Sequence, residues 1–456
     1  MPRPVRRAAG GHVLHRRLHR TYPVAVRGRG SWIEDAQGKR YLDATGGAMV
    51  VNLGHGRADI ARAIGRQAER LAYVNGTQFT TEPLEALASA LVEVAPKGLT
   101  KAHFLTSGSE AVEAAVKLAL QYWVERGEPG KIRILARRPA YHGNTIATLS
   151  LGSRGSYRKY FGEWLRGVPR IAGPTCWRCP LDKAYPFCGV ACADELEKAI
   201  DALGEESVAA FLAEPVFGAS GAAAVPPKEY WPKVREICDR RSILWIADEV
   251  LTGMGRTGKW FAVDHYGVAP DILAVGKGIS GGYAPLSAVL AREEMVETIR
   301  RGGHEFQHQQ TFAQTPVICA AGLAAIRLLK GRRLVERAAR MGPALLRALG
   351  GLKRLESVGD VRGVGLLAGI EFVADREKKT PFPREARFCE RVAEAAFERG
   401  LIVWPQGGDA DGVDGDSILV APPFTVTSFE IGQIARRLEA AIAAVEAGGG
   451  RTRSPA

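Results

Sequence analysis

Between residues 103 and 290, short apolar runs alternate with segments whose hydrophobic positions recur every three to four residues. The runs are "HFLT", "KIRILA", "VAAFLAEP", "ILWIADE", "DILAVGK" and "SAVLA"; the clearest helical stretch is "EAVEAAVKLALQYW". Such alternation predicts βα units around a mostly parallel sheet. Ligands of these sheets bind beyond the carboxyl ends of the strands. Glu214, Asp248, Glu249 and Lys277 stand at those ends and are expected to meet on one edge.

The flanks read differently. "GRGSWIEDAQGKRYLDATGG" predicts a small sheet element with a turn at Asp35-Ala36-Gln37-Gly38, and the chain after residue 330 mixes an amphipathic helix ("RFCERVAEAAFERG") with strand-like runs ("LLAGIEFV", "SILVAPPFTV"). We therefore expect residues 1–60 to supply an arm and part of a small domain, 61–330 a large domain, and 331–456 the rest of a smaller α+β domain. The glycine- and aspartate-rich segment 405–416 reads as a surface loop; its spacing fits no EF-hand. The chain contains no internal repeat.

With 46% hydrophobic and 24% charged residues the chain is that of a globular protein, and no apolar run approaches the roughly 20 residues of a membrane-spanning helix. The arginine-rich N-terminus lacks the apolar core of a secretory signal, so it reads as a basic arm on a cytoplasmic protein. A net charge of +13 raises the question of a nucleic-acid partner, but the basic residues are dispersed and form no recognition motif. The positive field favours anionic small ligands instead.

Three stretches carry candidate chemistry. In "LTSGSEAVEAAVKLAL", Ser107 and Glu110 have the spacing of a capping box; Ser107, Gly108 and Ser109 at a helix start also form a seat for a phosphate. In "ILWIADEVLTGMGRTG", Gly253 to Gly258 matches G-x-G-x-x-G, but "KWFAVDHYG" follows without a helical period, and a dinucleotide reading is rejected. Asp248 in that stretch is either a structural ion-pair partner or an acid facing a ring nitrogen, whose protonated form it stabilises. Lys277, between Gly276 and Gly278 after an apolar strand, is either snorkelling to water or a desolvated nucleophile of the Schiff-base kind. The two glycines would leave room for a bulky group bonded to its tip.

Four of the seven cysteines, Cys176, Cys179, Cys188 and Cys192, are spaced C-x2-C-x8-C-x3-C. Zinc, an iron–sulfur cluster, a disulfide or free thiols are all compatible with that spacing; a structural metal in an insertion near the substrate entrance is one expectation.

Taken in order, "SGSEAVEAAVKLA", "AYHGNT", "AEPV", "ADEVLTGMGRTG", "AVGKGISGGYAPLSAV", "HQQTF" and "APPF" resemble the class III aminotransferases, across nearly the whole chain. The resemblance implies the type I fold of pyridoxal-phosphate-dependent transferases. It implies that Lys277 holds the cofactor as a Schiff base and shuttles the substrate proton, and that Asp248 pairs with the pyridinium nitrogen. It further implies that Ser107, Gly108 and Ser109 hold the phosphate with Thr311 of the second subunit in a homodimer with shared active sites, that Tyr141 and Val250 cover the two ring faces, and that His142 and Glu214 line the site.

The implied reaction is ping-pong transfer of an amino group to a keto acid such as pyruvate or 2-oxoglutarate. Many relatives acting on amino acids carry an arginine two residues before "APP", where this chain has Leu419; a mobile arginine found slightly upstream in amine:pyruvate relatives corresponds to the neighbourhood of Trp404-Pro405. With both cations missing, Trp404 and Leu419 suggest an ω-amino acid, diamine or simple amine as donor, and the cation for the acceptor carboxylate has no candidate. An aminomutase, decarboxylase or racemase on the same fold is the alternative; a metal-bearing redox or nucleic-acid-binding protein is a remote one.

Overall fold

The computed structural model describes residues 12–448; residues 1–11 of the expected basic arm lie outside the described residues. Three strands, β1 (Ala25–Arg29), β2 (Trp32–Asp35) and β3 (Arg40–Asp43), form an antiparallel meander. The expected turn joins the last two: the Asp35 carboxylate accepts from the backbone N–H groups of Gln37 (3.0 Å) and Lys39 (2.9 Å), the local side-chain bond by which aspartate sets a tight turn.

Seven strands build the large sheet: β4 (Leu99–Leu105), β5 (Arg133–Arg138), β6 (Arg170–Ala172), β7 (Val208–Ala213), β8 (Leu244–Glu249), β9 (Ile272–Val275) and β10 (Ser287–Arg292). Their order is β4-β10-β9-β8-β7-β5-β6, and only β10 runs antiparallel to its neighbours. Every residue of β7, β8 and β9 is buried, because helices cover both faces. The helix Gly108–Glu125 packs Ala111, Ala115 and Leu118 against the face that carries Ile246 and Ala274. On the other face the helix Tyr230–Arg240 sets Trp231 flat against Trp245, 4.7 Å between ring centroids. The three-residue β6 is absent from the sequence-based reading, since so short a segment carries no period.

The C-terminal part adds β11 (Val358–Val364), β12 (Leu367–Phe372), β13 (Leu401–Ile402), β14 (Trp404–Gly407) and β15 (Asp416–Val420). Four of them form an antiparallel sheet ordered β11-β12-β15-β14, and β13 pairs in parallel with β3, joining the two ends of the chain. The helices Phe388–Glu398 and Ser428–Ala447 complete the smaller α+β unit.

Segment 405–416 departs from the expected surface loop. Its start is edge strand β14, where Pro405 is tolerated because an edge leaves one side of the backbone unpaired. Asp409 bonds Gln406 (3.0 Å) and the Ser417 hydroxyl, and Asp411 accepts from the N–H groups of Val413 and Asp414. Two of the aspartates are thus engaged in holding the bend.

The glycine-rich Gly253–Gly258 runs as consecutive turns, with φ of 93° at Gly255 and 85° at Gly258, and opens no helix. Its role is to bring Arg256 inward, where Nη1 donates to the carbonyls of Leu366 (3.0 Å) and Pro422 (2.7 Å) and ties the large sheet to the small domain. No described helix is long and apolar enough to cross a membrane.

Candidate active site

Alternation along β8 sends its two terminal acids to opposite faces. Asp248 faces a cavity of about 160 Å³ at the carboxyl edge of the sheet. Glu249 points the other way, accepting from Val263 N–H (2.9 Å) and the Thr252 hydroxyl, so the expected convergence holds for Glu214, Asp248 and Lys277 but not for Glu249. Full burial pushes the Glu249 carboxyl up to about 7.

Asp248 is fixed by two donors. Its Oδ2 lies 2.7 Å from Nδ1 of His142 and its Oδ1 accepts from Val250 N–H at 3.0 Å. The imidazole is buried, and its Nε2 has no partner among the described residues. Glu214 accepts from Gly218 N–H and the Ser220 hydroxyl, both at 3.2 Å, and burial raises its pKa.

Lys277 follows β9 with φ of 45°, a left-handed conformation that costs a non-glycine residue of order 1 kcal/mol. Its Nζ makes no hydrogen bond to a described residue, and burial lowers its pKa, with Asp248 and Glu214 opposing that shift. The flanking glycines are tightly enclosed by protein. A Cβ on Gly278 would lie 2.7 Å from Nδ2 of Asn52, and one on Gly276 would lie 3.3 Å from Val250 Cγ1. Both allow protein to close around the lysine's backbone; Asn52 bonds the carbonyls of Met254 and Gly278 at 3.2 Å.

The start of the helix Gly108–Glu125 also reaches the cavity. The capping box is real: Glu110 N–H donates to the Ser107 hydroxyl (3.2 Å) and the Glu110 carboxylate accepts from Ser107 N–H (2.8 Å). Ser107 is exposed and engaged as the cap, whereas Gly108 and Ser109 line the cavity. A Cβ on Gly108 would come within 2.5 Å of Val250 Cγ1. The Ser109 hydroxyl accepts from Asn144 N–H at 3.0 Å.

The cavity thus gathers Gly108, Ser109, Tyr141, His142, Glu214, Asp248, Val250 and Lys277. Thr311 lies outside it on the surface, beside Phe312, which is 65% exposed. Trp404 and Leu419 face each other across β14 and β15, and Leu419 is fully buried in a cluster with Val216 and Ala219; it backs the cavity wall without lining it. Sequence reasoning missed Asn52, Val216, Ala219 and Arg154. The Arg154 guanidinium lies 4.6 Å from the Tyr141 ring centroid and donates to the carbonyl of Ala219 (2.9 Å) and to Gln406 Oε1 (3.0 Å). A larger cavity of about 880 Å³, beside Trp177 and Arg362, has neither lysine nor histidine among its walls.

The four clustered cysteines share one crevice of about 20 Å³ and line no part of the catalytic cavity. Their segment docks instead on the small domain: Arg178 pairs with Glu371 (3.1 Å), and Lys379 Nζ donates to Trp177 O (2.7 Å). Among the described residues one group of three ligand atoms lies within 4.8 Å, Cys389, Glu390 and Asp416, and none of the quartet belongs to it. Tetrahedral thiolate sites, with metal–sulfur bonds of about 2.3 Å, need tighter grouping. The zinc or iron–sulfur expectation therefore finds no support. In the Cys389 group, Arg384 already bridges Glu390 and Asp416.

A strand-end lysine without a hydrogen-bond partner among the described residues, a buried carboxylate held by a histidine, and a helix start lined by Gly108 and Ser109 are the donor set that suits pyridoxal phosphate. Comparison with known proteins agrees. The family model for aminotransferase class-III matches residues 14–442. An adenosylmethionine-8-amino-7-oxononanoate aminotransferase of Geobacter sulfurreducens is 38% identical, covering 93% of this chain and 93% of that one. A putrescine–pyruvate aminotransferase of Pseudomonas aeruginosa is 36% identical over 90% of this chain and 88% of its own. Among solved structures, an amine transaminase from an uncultivated Pseudomonas species in the PLP-bound form superposes with a TM-score of 0.88 at 37% identity, covering 96% of this chain and 98% of the other. The chain belongs to the class III aminotransferases. It is an enzyme of the type I pyridoxal-phosphate fold that moves amino groups from amine donors to keto acids.

Proposed function

We propose that Lys277 is the residue that carries the cofactor and moves the substrate proton, that Asp248 holds the ring nitrogen protonated, and that Gly108 and Ser109 seat the phosphate. The observation that carries this reading is the shared cavity in which Lys277, free of hydrogen bonds to the described residues, meets the His142–Asp248 pair. Bound pyridoxal phosphate supplies the electron sink that lets an amine exchange its nitrogen for a carbonyl oxygen. The chain's own contributions are positional and electrostatic. Burial biases Lys277 towards the neutral, nucleophilic amine. Val250, pressed onto Gly108, and Tyr141 on the cavity wall define a slot for a flat ring.

The donors that fit are ω-amino acids, diamines and simple amines: Leu419 is buried and apolar, and Trp404 brings no charge. The putrescine-using relative points in the same direction. A homodimer in the cytoplasm completes the proposal, with domain limits near residues 60 and 330. Thr311, exposed, not among the residues lining its own cavity and next to Phe312, on which the exposed Tyr73 packs, suits a residue offered to a second subunit.

The decisive experiment is the visible spectrum of the reconstituted protein and of Lys277→Ala. A lysine-dependent band bleached by a diamine and restored by pyruvate supports the assignment; a wild-type protein without such a band defeats it.

A further inference from the structure

We infer that Arg154 is the cation that receives the carboxylate of the keto-acid acceptor, its guanidinium packed against two residues of the cavity wall from an element that neither Trp404 nor Leu419 belongs to. The inference rests on the aminotransferase reading above. Two of the groups Arg154 touches, the Tyr141 ring and the Ala219 carbonyl, belong to residues that wall the catalytic cavity. Its third contact, Gln406, lies on β14 two residues after Trp404. A positive group therefore backs one side of the cavity wall.

The guanidinium is also incompletely satisfied. Both of its hydrogen bonds come from Nη2; Nε is buried without a partner, and no carboxylate lies within ion-pair distance among the described residues. A half-buried guanidinium facing only neutral acceptors is costly unless a ligand supplies the anion. The nearby acid is held off by an amide: Gln406 accepts from Arg154 through Oε1 and donates to Asp409 through Nε2 at 3.0 Å. Burial pushes the Asp409 carboxyl up to about 7, with the Arg154 charge acting on it in the opposite sense.

Arg256 serves the Leu366 and Pro422 carbonyls, and Arg137 is covered by Phe217, 4.2 Å from its ring centroid, with Nη2 on the Glu214 carbonyl. Lys277 is needed for the chemistry. Arg137 and Arg256 also hold guanidinium nitrogens without a partner among the described residues but are fully buried, whereas Arg154 is only half-buried, and its planar fork matches a carboxylate. An amine donor without a carboxylate makes no demand on it, so one pocket can accept both partners of the exchange in turn.

The test uses the holoenzyme, with Arg154→Gln and Arg154→Lys beside the wild type. The second half-reaction, return of the aminated cofactor to its yellow form, is followed with pyruvate and with propanal, which lacks the carboxylate. Loss of a charge-assisted bond predicts a fall in pyruvate-over-propanal selectivity of about 10- to 100-fold in Arg154→Gln, partly restored in Arg154→Lys. Calorimetric binding of propionate, a non-reacting carboxylate, should weaken by a similar factor. Equal losses with pyruvate and propanal, or propionate binding unchanged by the substitution, would overturn the inference. Propionate binding judges Arg154 even where the wild type fails to exchange nitrogen, an outcome that would instead sink the aminotransferase reading.

Discussion

The imidazole of His142 stands 2.7 Å from the carboxylate of Asp248, buried together in the cavity that also receives Lys277. His142 and Val250 N–H between them fix both carboxylate oxygens. Asp248→Asn should lower kcat by about 10²- to 10³-fold, the usual loss for a preorganised charge at a reacting centre. His142→Phe should cost less, because the carboxylate keeps its backbone donor. The double variant should show a coupling of about 0.5–3 kcal/mol in kcat/KM; strict additivity would remove His142 from the assembly.

Gly108→Ala would force a methyl group against Val250 Cγ1. Overpacking of this kind costs about 1–3 kcal/mol, here at the phosphate end of the proposed cofactor site. Both thermal stability and pyridoxal phosphate affinity, read by absorbance titration, should fall. Adding Val250→Ala should recover the stability.

Glu249 gives a pH signature. Its carboxyl has an ordinary value of 4.5 and is pushed up to about 7 in the folded protein, so the native state holds the proton more firmly. The contribution to stability is full below pH 4.5, declines as pH rises towards 7 and is lost above it. Urea midpoints measured across that window should show a downward slope that Glu249→Gln flattens, the variant gaining on the wild type as pH rises. Parallel curves would mean that Glu249 is not the source.

Arg256→Met leaves the buried carbonyls of Leu366 and Pro422 without their donor. Each unsatisfied buried group costs about 1–3 kcal/mol. The melting temperature should fall by several degrees, and a variant as stable as wild type would show that the interdomain tie carries little energy.

Strands β7, β8 and β9 were legible because burial on both faces writes an unbroken apolar run, and because each run is followed closely by a charged residue that such a run does not otherwise need. The capping box announced the helix at Ser107 by its spacing. What escaped was set by partners distant in the chain. Arg154 follows a Gly-Ser pair and reads as surface; Ala219 and Gln406, 65 and 252 residues away, draw it inward. The glycines around Lys277 were visible, but not that Asn52 and Val250 press on them. Edge strand β14 was hidden by its proline and glycine, and the cysteine spacing, suggestive on paper, folds into a clasp on the small domain.

The parallel pairing of β3 with β13, Leu42 opposite Leu401, bears on the order in which the molecule can be built. During synthesis β3 leaves the ribosome hundreds of residues before the strand that covers its edge. Until then the N-terminal meander presents open backbone, an invitation to pair with another nascent chain. The large sheet can assemble in the interval, but β3 must wait for β13, made long after it, which makes this edge the point where a chaperone has most to protect.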